Sequence, residues 1–151
     1  MKFYTSSTFR YYLANLTKKK REGYTSVVED ICNSLQKMDD TILRETNDRV
    51  RQLPDYRIVK LRLPNSGQNL SKSNGFRLIY WVSLNADVIV LLSIYPKRGP
   101  QSAEDLVDAE YARLIEEMTE ESKDNALHQV DINDSLAELS TTGTLILNWM
   151  K

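Results

Sequence analysis

The chain has 151 residues, of which 41% are hydrophobic and 27% charged. Those values are ordinary for one soluble domain with a real core, and the length leaves no room for two well-packed domains. No apolar run reaches membrane-span length, the polar start MKFYTSSTFR lacks a signal-peptide core, and the one cysteine, Cys32, excludes an internal disulfide framework. These features lead us to expect a cytoplasmic protein with no membrane partner. The net charge of −1 divides sharply along the chain. Residues 1–100 hold 17 Lys/Arg against 9 Asp/Glu, and residues 101–151 hold 3 against 12. Such asymmetry suggests that the basic part meets nucleic acid.

In chain order, a short strand is expected at 2–5. Phe9, Leu13 and Leu16 then share one helical face. Ser6 or Ser7 suits its start, and Lys18–Arg21 followed by Gly23 suits its end. A second helix begins near Thr25 or Ser26, with Val28, Ile31, Cys32, Leu35 and Met38 on one side. Two amphipathic helices so closely linked should pack as a hairpin over a sheet. Residues 39–55 read equally as a helix or as a loop with a short strand, and Pro54 ends either. Strands follow near 57–63, 76–84 and 88–95, the last two apolar enough for a central hairpin covered on parts of both faces. Asn85-Ala86-Asp87 suits a three-residue turn. Pairing Leu84 with Val88 across it would set Arg77 opposite Tyr95, with Lys97 next along, and a one-residue slip would destroy this arrangement. Ser102 with Asp105 resembles a capping box for a helix carrying Val107, Tyr111, Leu114 and Met118. Beyond Glu120 the chain is polar, with a helical turn expected at SLAEL (135–139) and strand character in Leu145, Ile146, Leu147 and Trp149.

Residues 57–98 carry the chemistry. Lys60 and Arg62, two apart, project from one strand face. Cations alternating along a strand are usually a solvated face, but here they follow an order. K-x-R (60–62) lies on a strand, and a polar loop ends in K-S-x-G (72–75). G-F-R-L-I-Y (75–80) comes next, and an apolar strand closes on I-Y-x-K (94–97). In this order they resemble the RelE/HigB family of toxins from bacterial toxin–antitoxin pairs. The resemblance covers roughly residues 1–118, with its specific part at 57–98.

The resemblance implies an α+β fold in which an N-terminal helical hairpin packs on a small, mainly antiparallel sheet, followed by a C-terminal helix. Residues 1–118 would form the toxin domain and 119–151 an acidic extension. It further implies metal-independent mRNA cleavage in the ribosomal A site, no cofactor, and as partners an antitoxin protein, mRNA and the ribosome. Lys60, Arg62, Arg77 and Lys97 match the recurrent basic positions, and Lys72 matches the basic loop before G-F-R.

Cleavage through the ribose 2′-hydroxyl needs a base, cations for the phosphorane charge and an acid for the departing 5′-oxygen. Arginine grips phosphate bidentately, so Arg77 suits the stabiliser. A lysine serves as base only where cations or burial favour its neutral form, and Lys60 has Arg57 and Arg62 nearby in sequence. Several relatives use a histidine, yet the one histidine here, His128, lies outside the matching region. Tyr95 either substitutes for it or is a packed tyrosine. The catalytic candidates are therefore Lys60, Arg62, Arg77, Tyr95 and Lys97. Candidate phosphate contacts are Arg57, Lys72, Arg98 and the run Lys18, Lys19 and Lys20, which otherwise complements a helix dipole and stays hydrated. Cys32 reads as core, and the sequence offers neither a zinc set nor a phosphate-binding glycine loop. Two rival functions remain: gyrase poisoning, as in the ParE branch of the same fold, and a degenerate relative that only binds RNA or a protein. The acidic extension suggests docking on the basic part, where Glu116, Glu117, Glu120, Glu121 and Asp124 would compete with phosphate. The plainer reading makes it an added strand.

Overall fold

Strand β1 (Lys2–Thr5) runs into helix α1 (Ser7–Lys18) through Ser6, whose hydroxyl accepts from the Phe9 amide as N-cap. A 3₁₀ turn (Lys20–Glu22) follows and closes on Gly23 at φ 89°, a left-handed position that glycine takes without steric cost. Helix α2 (Val27–Gln36) buries Val27, Ile31, Cys32 and Leu35. The ambiguous segment holds both alternatives, a helix α3 (Asp40–Glu45) capped by Asp39 and a strand β2 (Arg49–Gln52). Strands β3 (Tyr56–Leu63), β4 (Phe76–Ser83) and β5 (Val88–Pro96) form the centre of the fold. Helix α4 (Asp108–Lys123), β6 (His128–Asp131) and β7 (Ala137–Glu138) complete it. This structure is a computed structural model and describes residues 1–46 and 49–139.

The fold is α+β, and the described residues form one mainly antiparallel sheet of seven strands in the order β2-β3-β4-β5-β1-β6-β7, where β1 runs parallel to β5. Two expectations are corrected. The sheet is not small, because β2 extends one edge and β6 and β7 extend the other. The helices are also spread rather than gathered as a hairpin over one patch: α1 lies against β5, α2 against β3 and α3 against β4, although α1 and α2 do touch. The boundary drawn after Met118 falls inside α4. Residues 128–131 pair with β1, and Val130 joins the core. The expected SLAEL helical turn is instead a turn leading into β7, and the strand expected at 145–149 lies outside the described residues.

The two faces of the sheet are covered unequally. On one, Phe9, Leu16, Ile31, Leu35 and Leu43 from the first three helices bury Leu61, Leu63, Phe76, Leu78 and Tyr80. On the other, Tyr111, Leu114 and Met118 of α4 cover Ile79, Trp81, Val90 and Leu92. Because α4 lies along β5, Lys60 stays half-buried and Arg62 exposed on that same face.

Carboxylates lock α4 to α1. Glu121 accepts from the Ser7 amide at 2.8 Å and from its hydroxyl, and Glu117 accepts from the Thr8 amide at 2.9 Å and from its hydroxyl. Both satisfy amides that a helix N-terminus leaves unpaired, and their charge opposes its dipole. Two of the acidic residues expected to compete with phosphate are therefore engaged in holding the fold. Burial pushes the Glu121 carboxyl up, against the pull of the Ser7 amide.

Candidate functional site

The site depends on strand register. Arg77 does face Tyr95, but not by the expected route. Near the turn the pairs are Val82 with Ile89 and Trp81 with Val90, one residue off the expected alignment. The turn is a longer one, in which the Ser83 hydroxyl accepts from the amides of Asn85 and Ala86. A bulge between the Tyr80–Leu91 and Ile79–Ser93 pairs inserts Leu92 and restores the alignment, giving Arg77 opposite Tyr95. On the other side Arg62 stands opposite Arg77. Arg62, Arg77 and Tyr95 thus form one row across β3, β4 and β5, with Lys60 two residues along on the same face.

Arg77 is not solvent-facing: it is 5% exposed. Its guanidinium donates to the carbonyls of Lys72 (2.8 Å), Ser73 (3.0 Å) and Phe76 (3.1 Å), clamping the end of the loop before β4. Gly75 makes that clamp possible. A Cβ there would stand 2.0 Å from the Leu63 carbonyl oxygen, so only glycine lets the loop pass β3 so closely. The K-S-x-G-F-R stretch therefore has a structural explanation of its own.

Lys60 sits differently. Its Nζ reaches the Asp105 carboxylate at 3.1 Å, with the two side chains 24% and 63% exposed. The Lys60 hydrogen bond and charge, backed by Lys97 and Arg77, hold the Asp105 carboxyl below the usual carboxylate range. The Tyr95 hydroxyl is buried beside Asp105 in a geometry looser than a hydrogen bond. Burial, and then the Asp105 charge, raise its pKa well above the ordinary tyrosine value. The phenol therefore stays protonated at neutral pH. Like charges directly opposite each other on a sheet repel, so a row with two arginines and nearby lysines attracts an anion. In this structure the anion is Asp105.

The remaining candidates are scattered. Arg57 leaves the opposite face of β3 and donates to the Arg44 carbonyl at 2.6 Å, so it does not accompany Lys60. Lys72 shares a shallow groove with Arg62, Asp30 and Lys37. Arg98 reaches the Asn74 side chain at 2.9 Å. Lys18, Lys19 and Lys20 lie at the end of α1 and are exposed, with Lys19 3.7 Å from Glu22. Cys32 is buried in the core, where burial pushes its thiol up. His128 pairs with Glu138 across β6 and β7.

Several site residues were absent from the sequence-based set. Asp105 was read as half of a helix cap, but α4 begins at Asp108, and Glu110 reaches back to the Val107 amide at 3.4 Å. Arg51 pairs with Asp108 at 2.9 Å and lies over the Tyr111 ring. A cleft of about 180 Å³ opens between α1, the end of β5 and α4, lined by Tyr12, Asn15, Tyr95, Leu106 and Arg113 among others. Among the described residues no cluster of His, Cys, Asp and Glu could hold a metal ion, and no helix is long and apolar enough to cross a membrane.

No family model, no curated protein and no solved structure matches the chain.

Proposed function

We propose that the chain is a metal-independent endoribonuclease toxin of the RelE/HigB kind, acting on mRNA at the ribosome and restrained by an antitoxin partner. The observation that carries this reading is the Arg62–Arg77–Tyr95 row with Lys60 and Lys97 beside it. It sets the accessible cations Lys60, Arg62 and Lys97 beside a buried arginine and a buried, protonated phenol, at the margin of the face that α4 covers. A phosphate takes the place of the Asp105 carboxylate, offering the same charge and more acceptor oxygens. Lys60, Arg62 and Lys97 then hold the phosphate, while Arg77 acts as a positioning residue by fixing the loop beneath them. Tyr95 donates its proton to the departing 5′-oxygen, and the 2′-hydroxyl gives up its own proton to water as it attacks the phosphorus, so that Lys60 stays a cation throughout. The buried Tyr95 hydroxyl also favours a narrower second reading, in which the chain binds RNA without cutting it.

The test has two parts. Cleavage of mRNA is followed on ribosomes with chelator present, beside a gyrase supercoiling assay. Binding to a single-stranded RNA is then measured against salt. Each phosphate contact adds roughly 0.7 to the slope of log affinity against log salt, so the double variant Lys60→Gln/Arg62→Gln should flatten it by about 1.4. Salt-dependent binding without cleavage selects the second reading. Gyrase inhibition with no RNA binding replaces both with the ParE-like one.

A further inference from the structure

The cleft between α1 and α4 exists because β1 is short. It pairs with β5 only as far as Thr5 opposite Leu91, after which the chain turns away into α1. Among the described residues, the last stretch of β5 therefore has no strand on that side, and α1 and α4 flank the gap instead. The Tyr95 side chain lines the cleft and also ends the cation row. Tyr12, 40% exposed, lines the cleft, and Tyr11, 65% exposed, lines a shallower one beside it, the two rings edge to face with centroids 5.5 Å apart. Arg113 borders this cleft and a second, shallower one beside it, and among the described residues it makes no hydrogen bond or ion pair.

Exposed tyrosine faces, a guanidinium at the cleft's border and an apolar lining form a stacking platform for unpaired bases. The cavity is smaller than the roughly 300–1,000 Å³ of a drug-sized pocket, which suits one ring system. We propose that this cleft binds a single nucleobase of the RNA strand whose phosphate occupies the cation row. Tyr12 supplies the stacking face, and the Arg113 guanidinium covers the base. This proposal rests on the RNA reading above, and adds a base contact to a site otherwise built for the backbone.

The experiment compares two ligands on the full chain at low salt: a short single-stranded RNA, and an abasic ribose-phosphate strand of the same length. Wild-type protein should bind the base-bearing strand about tenfold more tightly, the scale of one base–aromatic stack. Tyr12→Ala should remove that preference and leave abasic binding unchanged. Arg113→Gln, at a second exposed position, should reduce the preference too. Both substitutions are at exposed sites where stability changes little, and a thermal melt checks this. Equal wild-type affinity for the two strands overturns the base site while leaving the phosphate reading intact. Equal loss of both ligands in Tyr12→Ala overturns it as well. Binding of neither strand by wild type overturns both readings and turns the cleft over to a protein partner.

Discussion

Two segments border the cation row, and they are held in opposite ways. The loop before β4, residues 64–75, is fastened from inside by the buried Arg77 guanidinium, which holds the Lys72 and Ser73 carbonyls of the loop and that of Phe76 at the start of β4. The segment after β5, residues 97–107, is tied to its surroundings by Arg98 to Asn74 and by the Gln101 amide to the Tyr24 hydroxyl, but it meets the accessible cation Lys60 through the half-exposed Asp105. Leaving a buried hydrogen-bonding group without its partner costs about 1–3 kcal/mol, whereas an exposed ion pair contributes about 0–1 kcal/mol. Cations of the same row thus divide into one that is fixed in the architecture and one whose partner an incoming phosphate can replace. Charge alone does not decide which residue meets a ligand; the burial of its partners does.

The comparison breaks first at Arg77. Arg77→Ala should cost about 2–4 kcal/mol in a urea unfolding measurement, because one buried and two part-buried carbonyls lose a charged donor. Arg77→Lys should recover only part of this, since one ammonium cannot span the geometry of a planar fork. Gly75→Ala should be comparably severe, as the new methyl would meet the Leu63 carbonyl. If Arg77→Ala melts like wild type yet abolishes RNA cleavage, Arg77 belongs to the chemistry and the contrast collapses.

Asp105→Asn probes the other side of the comparison. It removes the resident anion but keeps the side chain's shape, so stability should move by less than about 1 kcal/mol. RNA affinity at low salt should rise by about two- to fivefold, the factor corresponding to a weak surface pair. Unchanged affinity would show that Asp105 does not stand where phosphate binds.

Much of this contrast was legible in the chain and some was not. Parity along a strand was available: Arg57 is three residues from Lys60, so it had to leave the other face. Burial of Arg77 had a signal too, an arginine inside an otherwise apolar strand that follows a loop ending in glycine. The pairing of Arg77 with Tyr95 was reached through a turn that does not form, because a one-residue offset near Ser83 and the Leu92 bulge cancel. Local propensity reports neither irregularity. Asp105 was hidden for a different reason. Its partner Lys60 lies 45 residues away, so nearby sequence could only suggest a cap with Ser102. The sheet's edges were legible only as alternatives, a short strand within 39–55 and an added strand in the extension, since β2 and β7 are short, polar and defined by pairing rather than by pattern.

The smallest effect is in pH dependence, and it sets Asp105 against Glu121. The folded-state pKa of Asp105 is lowered. Its contribution is present above the ordinary aspartate value and is lost only as pH falls through that lowered value. The Lys60–Asp105 contact should therefore persist from neutral to mildly acidic pH, and Asp105 should give RNA affinity no titration between about pH 5 and 8. Glu121 behaves oppositely, because burial raises its folded-state pKa. The folded protein then holds its proton more tightly than the unfolded chain does. Stability from this group is fully present below the ordinary glutamate value and declines as pH rises through the raised one. Glu121→Gln keeps an oxygen to accept from the Ser7 amide but cannot ionise, so its stability should vary less with pH than wild type across that window. Urea midpoints measured at several pH values for wild type, Asp105→Asn and Glu121→Gln separate the two groups. A wild-type slope that survives Glu121→Gln and disappears in Asp105→Asn would reverse the assignment and make the 97–107 segment, not the α1–α4 junction, the pH-sensitive part of the fold.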